Sequence, residues 1–148
     1  MKKLLLAIFG ICCCASLFAA TGVTTPDGWT DDFAAAREES KKTGRPILIL
    51  FTGSDWCPYC VKLKQHALDK KDFKSYADKR LILVYADFPN HVKLPDDLKE
   101  RNMKLAKQYG VRGFPTTIII GPDGGELGRL SGYSHEYLKR VRRFLKKH

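Results

Sequence analysis

Cys57 and Cys60 frame the run Trp56-Cys57-Pro58-Tyr59-Cys60, two thiols with two residues between them. A pair at that spacing can cycle between dithiol and disulfide, and it can also supply half of a tetrahedral zinc site. The chain has five cysteines, and the other three, Cys12, Cys13 and Cys14, sit together in an apolar leader. A secreted domain stabilised by disulfides spreads its cysteines along the chain. This one keeps a single close pair, whose loop is too short to add much stability. Zinc would need a second ligand pair, and His66, His91, His135 and His148 fall at no paired-ligand spacing. Exchange chemistry therefore leads, with a zinc site and a static disulfide as its rivals and no metal expected.

The local sequence gives the two thiols different tasks. Pro58 suits the first position of a helix, where its missing N–H and fixed φ are harmless. Cys57 then becomes the cap residue and Cys60 falls in the first turn. Unpaired backbone N–H groups at a helix start favour thiolate over thiol, and thiolate is the attacking species. Cys57 is the expected nucleophile. Cys60, one turn deeper, is the expected resolving thiol that displaces Cys57 from a mixed disulfide.

Around this pair the chain alternates helices and strands. A helix is expected over 31–43, with Thr30 as cap and Gly44 as stop. Ile47 to Phe51 and Leu81 to Ala86 are unbroken apolar runs, the mark of strands buried on both faces. A helix starts near Pro58, the Pro-containing stretch Asp87 to Asp97 is loop, and a further helix spans about 97–109. Thr116 to Ile120 is a third strand, and the turn Gly121-Pro122-Asp123-Gly124-Gly125 leads through a hairpin into Glu126 to Leu130. A last helix spans about 135–146, with Ser134 as cap. This order predicts an α/β fold: a three-layer α/β/α sandwich around a central mixed sheet.

Residues 1–20 read as a signal peptide: Lys2 and Lys3, then apolar Leu4 to Ile11, then small residues to Ala19-Ala20. An uncleaved N-terminal anchor is the competing reading, since Leu4 to Ala20 approaches the ~17-residue lower limit for a bilayer span. Either version puts the domain, residues 21–148, outside the cytoplasm, in the periplasm or cell envelope. The net charge is +10 among 148 residues. Its densest cluster, Lys139, Arg140, Arg142, Arg143, Lys146 and Lys147, reads as a solvated helix face with cations at the helix end. No nucleic-acid motif accompanies it, so no nucleic-acid partner is expected.

Trp56-Cys57-Pro58-Tyr59-Cys60, followed by Gly113-Phe114-Pro115-Thr116, resembles the thioredoxin-fold family over nearly the whole chain after the leader. Asp87, the closing hairpin and Gly132 extend the likeness. The lead-in Gly53-Ser54-Asp55-Trp56-Cys57 is similar to exported thioredoxin-like proteins. The resemblance implies a cis Pro115 packed against the cysteine pair. It also implies that a substrate strand pairs with backbone at Phe114 and Thr116, with Trp56, Pro58 and Tyr59 supporting the site. Recognition through main-chain hydrogen bonds tolerates many substrate sequences.

Four departures stand out. Leu50-Phe51 occupies the region where thioredoxins carry a buried aspartate, and Leu83 lies where they carry a lysine. Asp55 is the nearest substitute for the missing proton acceptor. The segment Asp87 to Asp97 is also longer than the matching thioredoxin connection. Pro58-Tyr59 matches the pair found in glutaredoxins and some periplasmic disulfide isomerases.

The expected function is a monomeric thioredoxin-like reductase that exchanges disulfides with protein substrates. It needs no cofactor beyond the Cys57–Cys60 disulfide, and a membrane-embedded donor would recharge it. Isomerase or oxidase action is the alternative direction. A non-catalytic peptide- or metal-binding module is the alternative of another class.

Overall fold

A computed structural model describes residues 25–146. The leader expected over 1–20 lies outside these residues. The four expected strands are present: β1 (Ile47–Thr52), β2 (Ile82–Asp87), β3 (Thr116–Ile120) and β4 (Glu126–Ser131). They make one mixed sheet in the order β2-β1-β3-β4. β1 runs parallel to β2, from Ile47 opposite Ile82 to Thr52 opposite Asp87, and antiparallel to β3, with Phe51 opposite Thr116.

The unbroken apolar run of β1 is explained by two cores, one on each face of the sheet. Every residue of β1 is buried. Leu48 and Leu50 face a core with Leu63, Leu68, Phe73, Tyr137 and Val141. Ile47, Ile49 and Phe51 face the other, with Ala36, Leu105 and Ile118. Each fully buried aliphatic side chain contributes about 1.5–3 kcal/mol, so β1 is the energetic spine of the fold. Helices α1 (Phe33–Thr43) and α4 (Asp96–Gln108) cover the second core. Helices α2 (Pro58–Leu63), α3 (Lys71–Arg80) and α5 (Tyr137–Lys146) cover the first. The three-layer sandwich is therefore the observed architecture.

Three local expectations change. Asp32, not Thr30, caps α1: its carboxylate accepts the Ala35 N–H at 2.9 Å. Thr30 instead extends the sheet, bridging in parallel to Val84. The helix that begins at Pro58 does not run on. It widens into a π-helical stretch, Lys64–Leu68, breaks at Asp69 and Lys70, and restarts as α3. No glycine or proline marks this break. It lets Leu63 and Leu68 on one segment, and Phe73 and Ala77 on the next, reach the same core. Finally, α5 begins at Tyr137, two residues beyond the expected start. Ser134 still serves that end, its hydroxyl accepting the Glu136 N–H at 3.2 Å.

The consequence for function is positional. The carboxyl ends of β1 and β2 and the start of β3 lie at one end of the sheet. The cysteine run follows β1, Asp87 closes β2, and Pro115 immediately precedes β3.

Candidate active site

Cys57 is the cap of α2, with extended backbone at φ −89° and ψ 109°, and Pro58 takes the first helical turn. The Cys57 sulfur accepts the Cys60 backbone N–H at 3.3 Å. The Cys60 sulfur accepts the Gly53 N–H at 3.5 Å from the opposite side. The two residues are joined by a disulfide, with Cα atoms 5.2 Å apart. Both are almost fully covered, at 4 % exposure each. Backbone surroundings, rather than exposure, therefore distinguish them: Cys57 stands at the open helix end between the exposed Trp56 and Pro58, and Cys60 faces inward.

Behind Cys60 lies a cavity of about 320 Å³, bordered by Leu50, Thr52, Ser54, Lys64 and Tyr85. Burial raises the Tyr85 phenol well above its ordinary range, so it stays neutral. Asp87, at the end of β2, is also buried. Its carboxylate accepts the Ser54 N–H at 3.0 Å, the Ser54 hydroxyl at 2.5 Å and its neighbour Phe88's N–H at 2.9 Å. Burial nonetheless outweighs these donors and holds the Asp87 carboxyl above its ordinary pKa, with nearby Asp55 pushing the same way.

Asp55 has a different occupation from the one its sequence position suggested. Its two oxygens accept the backbone N–H groups of Asn90 and His91, at 2.9 and 2.7 Å. Desolvation works against the charged form, but those backbone donors prevail and keep the carboxyl below its ordinary range. Asp55 is thus a clamp on the long segment after β2. The buried carboxylate near the cysteine loop is Asp87.

Trp56, 42 % exposed, is fixed by its own contacts. Its indole N–H donates to the Phe88 carbonyl at 2.8 Å, and its ring meets Phe114 edge-on at 6.0 Å. Phe88 stacks on Phe114 at 5.0 Å. The motif loop, the segment after β2 and the segment before β3 are thereby packed together. The Phe114–Pro115 bond is cis, as the resemblance implied. The Pro115 carbonyl accepts the Gly132 N–H at 2.8 Å, and Gly132 takes a left-handed φ of +74° that suits glycine. The Thr116 hydroxyl turns back to the Gly113 carbonyl at 2.7 Å and closes that turn. Tyr59 projects outward at 60 % exposure, with the Lys62 ammonium 5.6 Å from its ring centroid. His66 is exposed, as a surface residue would be.

Of the site residues expected from the sequence, Cys57, Cys60, Trp56, Phe114 and Pro115 lie together at one end of the sheet. The sequence reading missed the Ser54–Asp87 pairing and the Asp55 clamp. The signal for Asp87 was present: an aspartate ending an otherwise apolar, doubly covered strand is a candidate buried carboxylate.

The geometry agrees with relatives of known type. A family model described as Thioredoxin-like domain matches residues 33–146. The disulfide bond reductase DsbH of Chlamydia pneumoniae is 33 % identical over 145 residues, spanning 90 % of this chain and 87 % of that protein. A solved structure of a DsbH oxidoreductase superposes with a TM-score of 0.72 at 34 % identity, covering 85 % of this chain and 92 % of the other. A thioredoxin from Thermus thermophilus follows at TM-score 0.61 and 26 % identity, covering 78 % and 84 %. The chain belongs to the thioredoxin-like family, and it is a thioredoxin-fold disulfide oxidoreductase whose redox group is its own cysteine pair.

Proposed function

We propose that this protein is an extracytoplasmic disulfide reductase that acts on protein substrates, as a monomer, with Cys57 attacking and Cys60 resolving. One observation carries the assignment of roles: the Cys57 sulfur caps α2 and receives the Cys60 N–H. That donor stabilises a thiolate at Cys57 once the pair is reduced. The reductase direction is supported by the 33 % identity to a protein named as a disulfide bond reductase. The extracytoplasmic setting rests on the basic, apolar and small-residue layout of residues 1–20.

The reaction runs in two displacements. The Cys57 thiolate attacks one sulfur of the substrate disulfide, that S–S bond breaks, and one substrate thiolate leaves. Cys60 then gives up its proton and attacks the Cys57 sulfur of the mixed disulfide. The second substrate thiolate departs and the Cys57–Cys60 bond forms. The substrate gains two electrons and the protein loses two, so turnover needs a dithiol donor, which we assign to a membrane-embedded partner. Phe114 and Pro115 offer the ledge against which a substrate strand lies, with Trp56 and Tyr59 beside it.

The test is Cys60→Ser. Removing the resolving thiol should let protein partners accumulate on Cys57 as mixed disulfides that a reductant releases. Cys57→Ser should trap none. Trapping through Cys60 instead would reverse the roles, and no trapping with either variant would favour a binding module.

A further inference from the structure

The geometry points to a second substrate-recognition element: the cleft between the segment after β2 and helix α4 binds an extended stretch of substrate that carries an apolar side chain next to acidic ones. This inference rests on the exchange reading above and names the class of polypeptide the same site takes.

The cleft encloses about 600 Å³. Trp56, Phe88 and Phe114 form its wall toward the cysteines, and Val92, Leu94 and Met103 continue the apolar lining away from them. Four large apolar side chains stand exposed among the described residues, and two of them, Trp56 at 42 % and Met103 at 56 %, line this cleft. Exposed apolar side chains that converge on a concavity mark an interaction surface, unlike single exposed residues scattered elsewhere. The wall is also pre-formed. Asp55 ties down Asn90 and His91, and the Trp56 indole ties down Phe88, so little ordering is left for the substrate to impose.

Charge decides what accompanies the apolar anchor. Lys93 and Lys99 stand at the cleft with Asp96, and neither lysine is in an ion pair among the described residues. Asp55 keeps its negative charge but is not among the residues that line the cleft, and both its oxygens accept the Asn90 and His91 N–H groups. The lining itself carries two lysines against one aspartate, and the free ammonium groups of Lys93 and Lys99 complement acidic side chains. The cleft is continuous with the reacting end of the molecule through Trp56 and Phe114, whose rings meet at 6.0 Å. Backbone pairing at Phe114 accepts many sequences; this cleft would select among them.

Two disulfide-linked peptides test the idea, identical except that one places Leu and two Glu beside the cysteine and the other places Leu and two Lys. The wild-type protein should reduce the acidic peptide with kcat/KM about tenfold above the basic one, since rim charges act on the encounter rate. The double substitution Lys93→Glu and Lys99→Glu should bring that ratio to one or below. Met103→Asp should lower kcat/KM for the acidic peptide several-fold, and more than for a peptide with Gly in place of Leu. A wild-type ratio near one, or a ratio unmoved by the lysine substitutions, overturns the assignment. Reduction of a small aromatic disulfide by the wild-type protein is the control: if that is absent, it is the exchange reading that has failed.

Discussion

Asp87 holds Ser54 twice, through the serine N–H at 3.0 Å and through its hydroxyl at 2.5 Å. Ser54 follows Gly53, whose N–H is directed at the Cys60 sulfur, so the pairing braces the loop beneath the disulfide. Burial raises the Asp87 carboxyl above its ordinary pKa. The folded state therefore binds a proton that the unfolded state has released, across the window between the ordinary aspartate pKa and the raised one. Stability must fall as pH rises through that window and level off above it. Asp87→Asn should abolish this slope, so that urea midpoints of variant and wild type diverge with rising pH in the variant's favour. Parallel midpoints across the window would show that Asp87 is not the titrating group.

The contact between Asp55 and the segment after β2 makes the opposite pH prediction. Backbone donors keep its carboxyl below the ordinary range, despite the desolvation that opposes them. Its clamp is complete above the ordinary aspartate pKa and is lost as pH falls through the lowered one. Asp55→Ala should expose the Asn90 and His91 amides to rapid hydrogen exchange at neutral pH while the amides of β1 stay protected. Unchanged exchange at those two amides would mean the segment is held by other contacts.

These two carboxylates also mark where sequence reading stops. The strands were legible because β1 and β2 are covered on both faces, which writes an unbroken apolar run into the chain. Cys57 as cap was legible because Pro58 fixes the helix start locally. Asp55 was not, since its partners lie 35 and 36 residues away and are main-chain groups with no side-chain signature. The break between Leu68 and α3 was not legible either. It follows from packing against the sheet, and no glycine or proline announces it.

Tyr137 and Thr117 make a buried pair, with hydroxyl oxygens 2.9 Å apart between α5 and β3. Both residues are 1 % exposed. Burial raises the Tyr137 phenol far above its ordinary range, so the contact does not titrate near neutrality. Tyr137→Phe keeps the ring in its core and strands the Thr117 hydroxyl. The expected loss is about 1–3 kcal/mol of stability, the cost of an unpaired buried polar group. Chemical denaturation should find it equal at pH 6 and pH 8, with exchange activity retained.

The two sulfurs receive one backbone N–H each, and no cationic side chain bonds to either among the described residues. A strongly oxidising pair needs its reduced form stabilised further, through a thiolate supported by additional donors or charge. Equilibration with a dithiol buffer should therefore give a reduction potential near the ~−270 mV of thioredoxin, far from the ~−120 mV of a strong oxidant. A value near the latter would assign the protein to disulfide formation and remove the reductase proposal.

Gly53 gives a way to move Trp56 without substituting a cysteine. A Cβ built at Gly53 would lie 2.5 Å from the Trp56 ring atoms Cε2 and Nε1, closer than real contacts allow. Trp56 is partly exposed, so its ring can swing outward and the core is spared. In doing so its indole must leave the Phe88 carbonyl. Gly53→Ala should thus shift one of the two indole N–H resonances while unfolding stability changes by less than about 1 kcal/mol, below the usual range for an overpacked core. If Trp56 shapes the wall against which substrate lies, kcat/KM with protein disulfides should fall several-fold. The NMR shift without that kinetic loss would make Trp56 a packing residue of the motif loop and leave recognition to Phe114 and the backbone beside Pro115.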